Sequence, residues 1–324
     1  MNLSIKDWME NYQIVIYFLV VIFATIVTFL LPNTPYFEYM ITPALALMLF
    51  VTFLQVPILE LKQAFKRVDF ISALIFSNFI IIPIIVFFLI QFLPDNPLLK
   101  LGVLFVLLSP CIDYVITFSH LAKADSKILL ASTPILLILQ MILLPIYLTI
   151  FLDQKLVSYI EIAPFIEAFI FLILIPFSLA AILQRYSKRD KKKVDFINKL
   201  GFLAVPSTAF VLFVVVLAVF PKLSLAIDEV LYVIPIYVVF AILAPFLGFI
   251  VGSIFNLQVK EKIAISFSSS TRNSLVILPL ALAIPNALPL VPAVIVSQTF
   301  VELIFEIIYI FIFLRIFKKY NLFN

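Results

Sequence analysis

Long runs of apolar residues follow one another along the chain, separated by short breaks that are rich in charged residues, proline or asparagine. A helix that crosses the hydrocarbon core of a bilayer needs about 20 such residues. Ten runs have that length, and they predict an all-α protein that crosses the membrane ten times. The predicted spans are 12–31, 39–59, 70–93, 99–121, 127–152, 162–184, 200–220, 231–255, 261–285 and 290–316.

The composition supports this interpretation. Hydrophobic residues make up 65% of the 324 residues and charged residues only 12%, whereas a soluble domain is about half apolar and a quarter charged. Most of the surface must therefore face lipid. The chain has one cysteine, which excludes an intrachain disulfide and any metal site built from several cysteines.

The distribution of Lys and Arg predicts the orientation. With the N-terminus in the cytoplasm, 18 of these residues fall in cytoplasmic segments, three fall in segments on the opposite side, and Arg272 falls inside a span. Cytoplasmic loops of membrane proteins carry such an excess of positive charge. We therefore expect a multi-pass protein of the cell membrane with both termini in the cytoplasm.

The ten spans divide into two sets of five, and because five is odd the second set must insert upside down relative to the first. Residues 1–184 contain the first repeat and span 6, residues 185–199 form a basic cytoplasmic loop, and residues 200–324 contain the other four spans of the second repeat. All belong to one integral membrane domain. The basic run sets topology or contacts anionic lipid, and two inverted repeats are the layout of many secondary transporters.

The fourth span of each half is interrupted about ten residues after it begins. Span 4 is broken at Ser109 and Pro110, and span 9 is broken within "SSSTRNS" (268–274), around Ser270 and Thr271. Interrupted helices at corresponding positions indicate a transport site near the bilayer midplane, where half-helix ends can hold an ion or a polar solute. We expect the two broken helices to cross there. A lone proline would indicate only a kink.

Four charged residues lie deep within predicted spans, where charge is costly: Asp113, Arg272, Glu302 and Glu306. Arg272 is permanently cationic and is expected to pair with a carboxylate. Asp113 is the obvious candidate, across the two breaks. The pair is either a fixed structural feature or one that changes with substrate or protons.

Span 10 places Gln298, Glu302 and Glu306 four residues apart, and therefore on one helical face. This face must point into the bundle or a wet cavity. Two carboxylates one turn apart in a medium of low dielectric constant do not both ionise easily. Asp113, Glu302 and Glu306 are therefore candidates for proton coupling.

Cys111 lies beside the first break and is either a small buried apolar residue or a thiol ligand for a soft metal or metalloid. The sequence contains no phosphate-binding loop of the G-x-x-x-x-G-K-[ST] kind, and it has only four glycines and one histidine. We expect a secondary carrier rather than an enzyme, a channel or an ATP-driven pump. It should need no cofactor, resident metal, nucleic acid or ATPase partner.

Two stretches resemble those of a known family. "CIDYVITFSHLAKADSK" (111–127) and "VSQTFVELIFE" (296–306) are similar to spans 4 and 10 of the bile acid/sodium symporter superfamily, and within it to arsenite efflux permeases of the arsenical resistance (Acr) type. In those permeases a cysteine and a glutamate at these positions are tied to the transport of trivalent arsenic. The resemblance implies these roles for Cys111 and Glu302.

The second break differs from the pattern of the bile acid branch, Glu-x-x-x-Gln-Asn, which provides sodium ligands. Here Ser268 replaces the Glu and Arg272 the Gln, while Asn273 matches the Asn. A fixed cation disfavours bound sodium nearby, so protons are the expected coupling ion. At the first break, Pro110 stands where the permeases usually have arginine.

The sequence thus predicts proton-coupled efflux of arsenite or a related small solute. The expected substrate-binding residues are Cys111, Asp113, Arg272, Asn273 and Glu302. The alternative is a sodium- or proton-coupled carrier of organic anions in which Arg272 clamps a substrate carboxylate.

Overall fold

The computed structural model describes residues 5–30, 36–55, 66–152, 162–187, 191–223, 226–282, 284 and 289–319. These residues are almost entirely helical, and the one extended contact among them is an isolated bridge between Pro110 and Arg272. The prediction of an all-α protein is confirmed.

Thirteen helices are present in the described part of the chain. They are α1 (Ile5–Leu30), α2 (Tyr36–Gln55), α3 (Val68–Phe92), α4 (Pro97–Leu107), α5 (Tyr114–Leu121), α6 (Ser126–Phe151), α7 (162–187), α8 (Lys191–Leu200), α9 (201–223), α10 (Ile227–Ile254), α11 (Val259–Ser270), α12 (Ser274–Leu282) and α13 (Leu290–Lys319).

Eight of these helices are long and apolar enough to cross a membrane: α1, α2, α3, α6, α7, α9, α10 and α13. The chain is therefore a multi-pass membrane protein. The predicted fourth span instead consists of α4 and α5, and the predicted ninth consists of α11 and α12. The total of ten spans, the inverted repeats and the placement of the termini stay predictions.

The chain forms two compact units, each of which takes helices from both sequence halves. Residues 1–58 and 163–225 form the first unit, which contains α1, α2, α8, α9 and nearly all of α7. Residues 59–162 and 226–324 form the second, which contains α3–α6 and α10–α13. This division into units does not test the predicted inverted repeats, which stay a prediction.

Aromatic pairs join the long helices of the first unit. Phe53 of α2 packs edge-on against Phe177 of α7, with ring centroids 5.3 Å apart, and such pairs add about 0.5–1.5 kcal/mol beyond area burial. Much of the basic segment 185–199, predicted as a loop, is helical, since α7 extends to Ser187 and α8 begins at Lys191. Lysine is a good helix former, and residues 191–193, with which α8 begins, are all lysines.

The second unit brings the backbones of α10 and α11 unusually close. A Cβ atom at Gly248 would lie 2.7 Å from Ser269 Oγ and 2.9 Å from Ser266 Cα. Real Cβ atoms do not approach other atoms so closely. Gly248 therefore allows α10 to support the last turn of α11, which is the turn that leads into the second break.

An ion pair fixes the other end of α11. Arg67 Nη2 lies 2.7 Å from a carboxylate oxygen of Glu261, and the Glu261 side chain also accepts the backbone N–H of Gln258 in a capping box. Asp69 and Glu261 together raise the pKa of Arg67, which keeps this guanidinium charged. The N-termini of α3 and α11 are joined here.

Candidate binding site at the two helix breaks

The two breaks pair with each other through backbone hydrogen bonds. The N–H of Asn273 donates to the carbonyl of Ser109 at 2.8 Å, and the N–H of Cys111 donates to the carbonyl of Thr271 at 3.0 Å. Backbone groups freed by a helix break are costly unless they find partners away from water. Each break supplies the partners that the other lacks, so residues 109–111 and 271–273 form one structure. Ser270, predicted as part of the second break, is the last residue of α11.

A polar side chain caps the helix that follows each break. Asp113 Oδ1 accepts hydrogen bonds from the backbone N–H of Tyr114 at 2.6 Å and from Cys111 Sγ at 2.9 Å. After the second break, Asn273 Oδ1 lies 3.4 Å from the backbone nitrogen of Val276. A negative charge is favourable at the positive end of a helix, and Asp113 supplies one at α5 when it is ionised.

A single guanidinium caps the C-termini of both helices that precede the breaks. Arg272 Nη1 donates to the carbonyl of Leu107, the last residue of α4, at 3.2 Å. Its Nη2 donates to the carbonyls of Ser268 and Ser269 in the last turn of α11, each at 2.6 Å. A helix C-terminus carries about −0.5 elementary charge. Two of them together balance about one positive charge.

The predicted ion pair between Arg272 and Asp113 is therefore wrong. Within the described residues the guanidinium has no carboxylate oxygen within 4.0 Å, although the Arg272 side chain is completely buried. Helix-end carbonyls supply the negative potential that we expected from a carboxylate. Asp113 instead binds the thiol and the backbone of its own break.

Asn78 completes the surroundings of the guanidinium. A π-helical turn at Ser77–Ile81 interrupts α3, and such turns often mark functional positions. The Asn78 Nδ2 donates to the carbonyl of Leu74 at 3.1 Å and to Ser268 Oγ at 3.0 Å, so its Oδ1 is turned to accept from Arg272 Nη2 at 2.9 Å. Sequence reasoning missed Asn78. The signal was the polar pair Ser77-Asn78 inside an apolar span.

Glu302 connects both breaks to α13. Its Oε1 accepts from the hydroxyl of Tyr114 at 2.5 Å. Its Oε2 accepts from the backbone N–H of Arg272 and from Gln298 Nε2, both at 2.6 Å. Three donors converge on one buried carboxyl group, which is the arrangement that stabilises the ionised form. Tyr114, which the sequence analysis did not single out, is the link to the first break.

Glu306 is in a different situation one turn further along. Its Oε1 lies 2.5 Å from Thr271 Oγ1, and that hydroxyl also lies 2.6 Å from the carbonyl of Phe267. A hydroxyl has one proton to donate. Both short contacts are hydrogen bonds when Thr271 donates to Phe267 and a protonated Glu306 donates to Thr271. The side chains of Gln298, Glu302 and Glu306 are buried, as their spacing predicts.

Five buried polar side-chain atoms among the described residues have no hydrogen-bond partner, and all belong to this region: Asp113 Oδ2, Gln140 Nε2, Arg272 Nε, Gln298 Oε1 and Glu306 Oε2. Leaving such a group unpaired costs about 1–3 kcal/mol. Gln140, another residue that sequence reasoning missed, is joined to the second break by a 3.3 Å bond from Asn273 Nδ2. Unpaired groups concentrated in one place are what a site for a small polar solute requires.

The predicted site residues thus come together: Cys111, Asp113, Arg272, Asn273, Glu302 and Glu306 all lie in the network around the paired breaks. Among the described residues no group of three His, Cys, Asp or Glu side chains could hold a metal ion. What the arrangement offers chemically is one thiol, three carboxyl groups and one immobilised guanidinium.

Eight membrane-length helices among the described residues, together with a buried polar region at two paired helix breaks, are typical of membrane transport proteins. Residues 42–223 match the sodium bile acid symporter family, which is more than half of the chain. The chain therefore belongs to that family and is a membrane transporter of small solutes. The matching region includes the first break and ends before the second. No curated protein matches the chain.

Proposed function

We propose that this chain is a secondary transporter that exports arsenite, or a related small solute, in exchange for protons. The observation that carries the proposal is the convergence of Cys111, Asp113 and Glu302 at the paired helix breaks. Cys111 Sγ donates to Asp113, and Tyr114 joins the same break to Glu302. A solute bound at the thiol would therefore be next to two carboxyl groups.

Trivalent arsenic fits the one soft ligand in this cluster. Thiolates bind soft metals and metalloids, and Cys111 is completely buried in the site. A single sulfur ligand holds such a centre less tightly than two or three would. Weak binding suits a carrier, because it must release what it carries.

Two carboxyl groups on α13 support coupling to protons. The hydrogen bonds around Glu302 are those of an ionised carboxylate. At Glu306, the two short contacts of the Thr271 hydroxyl are both hydrogen bonds when Glu306 is protonated at Oε1. Both contact the second break, Glu302 through Arg272 and Glu306 through Thr271. Moving a proton on or off either group would change the bonds that hold the break, which is the linkage an antiporter needs.

The alternative, a carrier that clamps a substrate carboxylate with Arg272, has less support. A bidentate clamp needs two free N–H groups on the guanidinium. Either bidentate face of the guanidinium must use Nη2, and both N–H groups of Nη2 are engaged by Asn78, Ser268 and Ser269. Nη1 donates to Leu107, and Nε has no partner. An organic anion would have to displace helix-end carbonyls to bind in this way.

Everted membrane vesicles with an acidified lumen test the proposal. They should accumulate arsenite, and the variant Cys111→Ser should lose this uptake. Ser119→Ala, a buried hydroxyl on α5 that bonds only within its own helix at 2.8 Å, is the matched control and should keep it. Unchanged uptake by Cys111→Ser would contradict a thiol ligand. Uptake of small carboxylic acids without arsenite would favour the alternative.

A further inference from the structure

The Arg272 guanidinium lies in a cage of four oxygen atoms. Three are backbone carbonyl oxygens, from Leu107, Ser268 and Ser269, and the fourth is Asn78 Oδ1. Nη1 donates to Leu107 at 3.2 Å, and the two N–H groups of Nη2 are shared among Ser268, Ser269 and Asn78 at 2.6–2.9 Å. The cage therefore presents only negative ends of dipoles to the group inside it.

This cage has the chemistry of a site for a small inorganic cation. Hard cations bind carbonyl and amide oxygens, and the C-terminal ends of interrupted helices coordinate coupling ions in transporters. Two of the three helices that form the cage end at it, so their terminal charges favour any cation placed there. The described residues bring no carboxylate within 4.0 Å of the guanidinium.

Contacts that do not involve Arg272 hold the cage in place. Asn78 is oriented by its bonds to Leu74 and Ser268. Ser269 Oγ is 2.7 Å from Ser77 Oγ, and Gly248 lets α10 pack directly against the same turn. Shortening the arginine side chain should leave these supports intact.

We propose that Arg272 is a tethered cation that fills a cation-binding cage, and that a shorter neutral side chain at this position turns the cage into a site for sodium. The native protein then needs no sodium at the breaks, because the guanidinium balances the helix ends permanently. The binding half of the proposal does not depend on the solute. Only its consequence for transport, independence from sodium, rests on the proposed function.

Thermal unfolding of the purified protein tests the binding half without any transport assay. The native protein should melt at the same temperature in sodium chloride and in choline chloride of equal ionic strength. Arg272→Gln should melt lower in choline, and sodium should raise its melting temperature in a saturable way, since a ligand of the folded state stabilises it. Arg185→Gln, at an exposed arginine of the first unit, is the control and should behave like the native protein.

A second variant shows where the ion binds. Adding Asn78→Leu to Arg272→Gln removes one cage oxygen and should abolish the sodium response or shift it to much higher concentration. If Arg272→Gln folds only when it is expressed and purified in sodium, the proposal is supported. It is overturned if the variant is recovered in neither salt, if its melting temperature ignores sodium, or if the native protein shows the same saturable sodium shift. These outcomes are independent of whether arsenite is transported.

Discussion

The two helix breaks pair with each other through the backbone, yet their side chains are held in different ways. Among the described residues, the Asp113 carboxyl group of the first break accepts hydrogen bonds only from its near neighbours, Cys111 and Tyr114. Arg272 of the second break reaches residues more than 160 positions away, at Leu107 and Asn78. Two breaks at matching positions can thus rely on local capping in one case and on long-range contacts in the other. Substitutions around the second break should therefore be the more damaging.

The largest effect should come from Glu302→Ala. This change removes the acceptor of three buried donors, on Tyr114, Arg272 and Gln298. The Tyr114 hydroxyl keeps the carbonyl of Arg272, at 3.3 Å, as an acceptor, so two donors are left unpaired. At about 1–3 kcal/mol each, the total should be about 2–6 kcal/mol. The melting temperature of the purified protein should fall sharply, or no folded protein should be recovered. Ile304→Ala, at a largely exposed position of the same helix, is the control, and a drop of equal size there would contradict this account.

A smaller loss of stability is expected from substitutions in the cage around the Arg272 guanidinium. Asn78→Ala removes three hydrogen bonds, whereas Ser77→Ala next to it removes one, the bond to Ser269. We expect Asn78→Ala to cost about 2 kcal/mol or more and Ser77→Ala about 1 kcal/mol, from the usual range for buried hydrogen bonds. Melting temperatures measured side by side give the comparison. Equal losses would mean that Asn78 does not support Arg272.

Removing the charge of Asp113 at the first break should cost less stability than the substitutions at Glu302 and Asn78. Asp113→Asn keeps Oδ1, which accepts both existing hydrogen bonds, and replaces Oδ2, which has no partner. The stability cost should be about 1 kcal/mol or less, from the weaker interaction with the N-terminus of α5. Solute flux should nevertheless fall, because the carboxyl group next to the thiol can no longer take up a proton. A large loss of stability with normal flux would contradict this account, because it would give Asp113 a structural role rather than a role in transport.

The smallest structural effect is expected for Cys111→Ser. The serine hydroxyl can donate to Asp113 in the same place as the thiol, so the melting temperature should change by the equivalent of less than about 1 kcal/mol. The functional effect should be large, because the soft ligand is gone. A variant that is equally stable and still transports arsenite would show that Cys111 only packs.

The sequence reveals the breaks more readily than the contacts that hold them. The helices are indicated by apolar runs of membrane length, and their interruptions by Ser109, Pro110 and "SSSTRNS". Polar residues are costly in the bilayer core, so those that occur there usually have a role. The partners of Arg272 could not be predicted in the same way. Residue types alone predict a carboxylate partner for a buried arginine. Every residue has a backbone carbonyl that can accept a hydrogen bond, so the sequence does not show that helix-end carbonyls take that place.

Tyr114 and Asn78 illustrate the same limit. Each is unremarkable in a list of residues, and each acquires its place in the site from a long-range contact, with Glu302 and with Arg272 respectively. Likewise, the two compact units combine helices from both ends of the sequence. Hydrophobic periodicity describes which segments are helical, but long-range packing decides which of them meet.

The most direct test of this account is arsenite flux in proteoliposomes that contain only the purified protein, in buffers without sodium. A proton gradient should drive arsenite against its own gradient, adding sodium should not increase the rate, and Cys111→Ser should abolish the flux. Arsenite flux that requires sodium, or no arsenite flux under any gradient, would contradict the assignment of the paired breaks as a proton-coupled arsenite site.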